Sequence, residues 1–142
     1  MTPVYEPRVA QLSSDLAEAY FETGRLEEAK RCAFDAINTE QPRYFPYAIY
    51  TLGQIHAKEN NLDLAEESFK TGIKAAEQLE DRFILAYLHR IWGKILWENE
   101  RDEEGKEHIQ TALSIFESQK NEHEVAATKA LLAKLEGTGL LN

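Results

Sequence analysis

The chain has 142 residues, enough for one domain with a substantial core. Its 16 lysines and arginines stand against 25 aspartates and glutamates, a formal charge of −9, so its average surface repels nucleic-acid phosphates and anionic membranes, and neither is expected as a partner. With one cysteine there is no disulfide framework, and Cys32, among Ala29, Ala33 and Ala36, reads as a buried reduced thiol.

The first helix is expected from about Pro7 to Glu22, proline being suited to the first helical position, with Val9, Leu12, Leu16, Ala19 and Tyr20 at helical spacing. Thr23-Gly24 ends it. A partner helix follows from about Leu26 to Asn38, with Glu27 and Glu28 where the helix dipole favours anions. Gln41-Pro42 lies in the connection to a helix from about Tyr44 to Lys58 that opens near Pro46. Asn60-Asn61 makes a turn, and the helix from about Leu62 to Leu79 is expected to be capped at Asp63 with Glu66 three residues on. Asp81 starts the next helix, to about Glu98. Asp102 is expected to cap its partner, to about Ser118. Asn121 or Glu122 opens a last helix to about Glu136, stopped by Gly137-Thr138-Gly139, with Val125, Leu131, Leu132 and Leu135 on one side and polar Thr128, Lys129 and Glu136 between them. No stretch alternates as a half-buried strand would.

Small residues recur in register. Leu52-Gly53 is followed by Ala65 and Phe69, and the same offsets relate Ala17, Ala29 and Ala36, then Gly53, Ala65 and Gly72, then Gly93, Gly105 and Ala112. Leu132-Ala133 begins a fourth unit with no second helix. With His56 three residues after Gly53, the stretch from Leu52 to Phe69 comes close to L-G-x2-Y followed by A-x3-F and resembles the tetratricopeptide repeat, in which small residues let two helices cross closely. The resemblance covers about Arg8 to Glu136. It implies an all-α fold, a right-handed superhelical stack of antiparallel hairpins with about three and a half repeats and seven helices, in a single domain over 1–142 (repeats about 10–43, 46–79 and 86–119, terminal helix about 122–136). Units spaced by 36 and 40 residues, against the usual 34, look like the lengthened repeats of bacterial signal-transduction regulators. The unfinished fourth unit favours a fragment or a small partner of something larger.

No catalytic pattern stands out. His56, His89, His108 and His123 lack metal-ligand spacing and read as surface or interface residues, no glycine-rich phosphate loop occurs, and no cofactor is expected. No apolar run reaches the length of a signal peptide's core or a membrane span, so a cytoplasmic, bacterial protein is expected. The resemblance implies a concave face made by Gln11, Ser14, Glu18, Phe21 and Glu22, then Tyr47, Tyr50, Gln54, Ala57 and Lys58, then Tyr87, Arg90, Lys94, Trp97 and Glu98. From these, Tyr47, Tyr50, Gln54, Lys58, Tyr87, Arg90, Lys94 and Trp97 are the candidate peptide-binding residues, with packing between neighbouring helices as the other role for the aromatic ones. Aromatic rings and arginine forks suit a protein or peptide ligand with acidic and apolar groups, about eight extended residues long. Glu18 and Gln54 stand where the two-carboxylate clamp of chaperone-binding repeats wants asparagine, which argues against that clamp. The alternative function is self-association as part of a larger regulator through the carboxy-terminal edge, where Leu140-Leu141 is apolar.

Overall fold

The computed structural model describes the backbone of residues 6–141 and the side chains of residues 8–137. Within them seven helices follow one another: α1 (Glu6–Glu22), α2 (Leu26–Asn38), α3 (Phe45–Lys58), α4 (Leu62–Leu79), α5 (Arg82–Glu98), α6 (Asp102–Ser118) and α7 (Glu122–Leu141). Among the described residues there is no strand. Two compact units divide the chain, Met1–Asp81 and Arg82–Asn142.

In the first unit α1 packs on α2, α3 on α4, and α3 also on α2 and α1. The small-residue register is what brings the helices close. Ala17, Ala29, Ala36, Ala65, Gly53 and Gly72 are all buried. Gly53 is required by Phe69: a methyl group on Gly53 would sit 2.7 Å from the Phe69 ring, closer than packed carbons tolerate. Phe69 is itself fully buried, and Leu52 nearly so.

In the second unit α5 packs on α6, and α6 on α7. Here two glycines face each other. A methyl on Gly93 would lie 2.6 Å from the Gly105 carbonyl oxygen, and one on Gly105 would lie 2.5 Å from that of Gly93. Backbone thus meets backbone, and Trp92, Leu88, Leu96, Ile109 and Phe116 fill the space around the crossing.

Most of the helices stop in the same way. Gly24, Asn60, Glu80, Glu100 and Lys120 have positive φ, and the amide after each donates back to the last turn, as in Asn61 to the His56 carbonyl at 2.8 Å and Arg101 to the Leu96 carbonyl at 2.9 Å. A left-handed residue in this position closes off carbonyls that the helix leaves unpaired. Only Gly24 carries the glycine that announces such a stop.

Several expectations are corrected. The cap of α4 is Asn61, whose side chain accepts from the Leu64 amide at 3.3 Å, and Asp63 lies inside the first turn. Arg101 occupies the cap position of α6, where its side chain bonds Glu104 and not a first-turn amide, so Asp102 acts there through the dipole. Asn121 caps α7 through the Glu124 amide. That helix runs through Gly137 to Leu141, because an isolated glycine weakens a helix without breaking it. Thr128 is fully buried, and Cys32 is only partly so. Val9, Leu12 and Leu16 lie on the exposed side of α1. The Leu140-Leu141 contact suggested by the sequence falls outside the described side chains.

Candidate functional site

The eight candidate residues come from two helices. In the first unit, α3 carries Tyr47, Tyr50, Gln54 and Lys58 on positions three to four apart, so they run along one strip of the helix. Tyr47 donates its hydroxyl to Asp81 Oδ2 at 2.9 Å; burial, then that bond, raises the phenol well above its ordinary range. Gln54 is half-buried and its amide donates to the Tyr50 carbonyl at 3.2 Å. Lys58 lies in the last turn of α3, where its charge complements the helix dipole.

In the second unit, α5 carries Tyr87, Arg90, Lys94 and Trp97. Two of them are bound into a network with α7. The Arg90 guanidinium bonds Glu124 Oε1 at 2.9 Å and donates to Thr128 Oγ1 at 2.9 Å, while Tyr87 donates its hydroxyl to Glu124. Arg90 also lies over the rings of Tyr87 and Phe116, 4.8 and 5.0 Å from their centres. Burial first, then Glu124, pushes the Tyr87 phenol up to about 12. Burial alone would raise the Glu124 carboxyl, but the bonds from Tyr87 and Arg90 outweigh it and hold the group below its ordinary value. Lys94 pairs with Glu98 at 3.2 Å on the exposed side, and Trp97 lies where α5 meets Gly105.

Tyr47, Tyr87 and Arg90 therefore fasten the start of one helix, or the segment before it, to the helix that precedes it in the register. Tyr47 and Tyr87 occupy the same place in successive hairpins and both donate to a carboxylate near the next first helix, Asp81 and Glu124. Gln54 and Lys94 instead bond within their own helices, to the Tyr50 carbonyl and to Glu98.

Residues 46–79, the α3–α4 hairpin, match the family model of the tetratricopeptide repeat. The chain contains a tetratricopeptide repeat. No curated protein and no solved structure is matched by the chain. With α3–α4 as the reference repeat, α1–α2 and α5–α6 repeat its buried small-residue positions, and the fold is an all-α helical repeat of tetratricopeptide type.

The repeat register also exposes a feature that the sequence reading missed. His89 on α5 and His108 on α6 are joined Nδ1 to Nδ1 at 2.9 Å. Their ring centres are 5.1 Å apart, close to the nitrogen separation plus two ring radii, so the nitrogens lie near the line between the rings. This is the geometry of an N–H···N hydrogen bond, one ring donating and the other accepting, not of two lone pairs converging on a metal. Burial, then His108, lowers His89 to about 4. The matching places in the other hairpins hold Ile49 with Ser68 and Ser13 with Cys32, so aligning the columns was the signal that could have paired the histidines.

Elsewhere, a hollow of about 410 Å³ in the first unit is lined by Pro42, Phe45, Ala75 and Leu79, with Lys74 and Gln78 at its edge; none of the eight candidates lines it. Among the described residues no group of three or more His, Cys, Asp or Glu could hold a metal ion, and no helix is long and apolar enough to cross a membrane.

Proposed function

We propose that the chain is a non-catalytic protein- or peptide-binding module of a regulatory or scaffolding assembly, with its ligand held at the groove-facing positions of the first helices. The tetratricopeptide repeat at 46–79 carries this reading, since such repeats are generally non-catalytic protein-interaction modules. The chemistry of the strips supports a ligand with acidic and apolar groups. In the first unit α3 offers Tyr50, Gln54 and Lys58; in the second α5 offers Lys94 and Trp97. Rings give rigid contact area at small entropy cost, and lysines give charge without demanding one geometry.

Tyr47, Tyr87 and Arg90 contribute less directly in this reading. They hold the helices that present the other residues, and Arg90→Glu would set a carboxylate against Glu124 and disturb α7 as well as any ligand. The cleaner variants are Lys58→Glu and Lys94→Glu. Selection of octapeptides from a displayed random library on the wild-type chain is expected to return acidic and apolar sequences, whose affinity falls about fivefold to tenfold in either variant. Affinity equal to that of the wild type in both variants, with helical circular dichroism unchanged, would remove the first helices as the ligand surface.

A further inference from the structure

His56 lies in the last turn of α3, with its side chain only 12% exposed. Among the described residues its Nδ1 is the buried side-chain atom that has no hydrogen-bond partner. A buried polar atom in that condition costs free energy, and it calls for a physical account. Facing it is Glu59 Oε1 at 3.9 Å, about 1 Å too far for a hydrogen bond. The other oxygen of that carboxylate is engaged. Glu59 Oε2 takes Lys30 Nζ at 2.9 Å, which ties α2 to the end of α3.

Three charged groups act on the ring, and they come from different elements. Lys30 belongs to α2, Glu59 to the residue that ends α3, and Glu67 to α4; α1, which also packs on α3, brings none. Burial first, then Lys30, lowers the His56 pKa, against the smaller pull of Glu59 and Glu67. The folded chain therefore takes up this proton less readily than the unfolded chain does. The stability that comes with the neutral ring is full above pH 6.5 and is lost as the pH falls below it.

We infer that Glu59 is a pH-driven switch between two partners, held by Lys30 of α2 while His56 is neutral and by His56 once the ring is protonated. A protonated ring donates from both nitrogens, so Nδ1 then turns an N–H and a positive charge toward Glu59. Exposure decides which cation keeps the carboxylate. Lys30 is 30% exposed and its ammonium is readily hydrated, so its pair with Glu59 is weakly held, whereas the His56 ring has little water to turn to. As Glu59 swings to His56, the new charge on the ring repels Lys30 into solvent. The charge also stands in the last turn of α3, the favourable end of the helix dipole. An ion pair between the first and second hairpins is thus exchanged for one within the end of α3, and the joint between α2 and α3 loosens in acid.

Nuclear magnetic resonance titration of the 142-residue chain, through pH 6.5 and below, tests the switch. The Lys30 ε-methylene and Glu59 carboxylate signals shift with the same midpoint as the His56 ring, and stay flat over that interval in His56→Gln. Lys30→Met raises the His56 midpoint, and Glu59→Gln lowers it. A Lys30 signal that does not follow the ring in the wild type overturns the proposal, and that reading needs no variant to fold. A His56 midpoint left in place by Lys30→Met, with helical circular dichroism unchanged, overturns it as well.

Discussion

The His89–His108 bond shows how one pair of side chains sets a pH response. His89 has its pKa lowered in the folded chain from 6.5 to about 4, by burial and then by His108, so the unfolded chain binds the proton more readily. The stabilisation is full above pH 6.5 and is lost as the pH falls toward about 4. Urea midpoints are expected to drop steadily over this interval, and His89→Leu is expected to flatten the drop; an equal slope in the variant would show that other groups produce it. Glu124 acts in a lower window. Its carboxyl is held below 4.5, so the bonds to Tyr87 and Arg90 persist until the pH falls beneath that value, and only then does α7 lose its hold on α5. At neutral pH Glu124→Gln leaves Arg90 partly buried without its counter-charge, which costs about 2–3 kcal/mol. None of this was visible residue by residue: His89 and His108 are 19 apart and on different helices, and Thr128 looks like a solvent-facing position until Arg90 reaches it.

At the scale of elements, helix lengths and partners were legible because the small residues at Ala17, Gly53 and Gly93 repeat with those twelve and nineteen positions later, and all nine are buried. The ends were less so. Glu80, Glu100 and Lys120 take a left-handed backbone without the glycine that signals it, and are held there by the chain leaving the helix. Glu80→Gly and Glu100→Gly are each expected to stabilise by about 0.5–1 kcal/mol, net of the glycine's added freedom when unfolded, and to raise Tm by about 2–4 °C. The glycines at the α5–α6 crossing behave oppositely. Gly105→Ala pushes a methyl onto the Gly93 carbonyl and the Trp97 backbone, for a loss of about 1–3 kcal/mol. Gly137→Ala, with nothing within 4 Å, is expected to gain up to about 1 kcal/mol from helix propensity alone. Denaturant titration of the four variants reads all these signs, and a neutral Gly105→Ala would contradict the close backbone crossing.

At the scale of the whole molecule, the repeat explains why the candidate surface was only partly legible. A repeat register tells which side a residue is on, so Tyr47, Tyr87 and Arg90 were placed with Tyr50, Lys94 and Trp97, but it does not tell which polar atoms the next helix takes up. Asp81 and Glu124 take up the first three. Beside them α3 carries Tyr50, Gln54 and Lys58, and α5 carries Lys94 and Trp97, on a chain of charge −9. The measurement that bears most directly on a binding role is the map of backbone amide and Trp97 indole shifts by nuclear magnetic resonance as a selected octapeptide is added. The account predicts shifts that centre on Tyr50, Gln54, Lys58, Lys94 and Trp97; shifts confined to the hollow beside Phe45 and Leu79, or to α1, would contradict it.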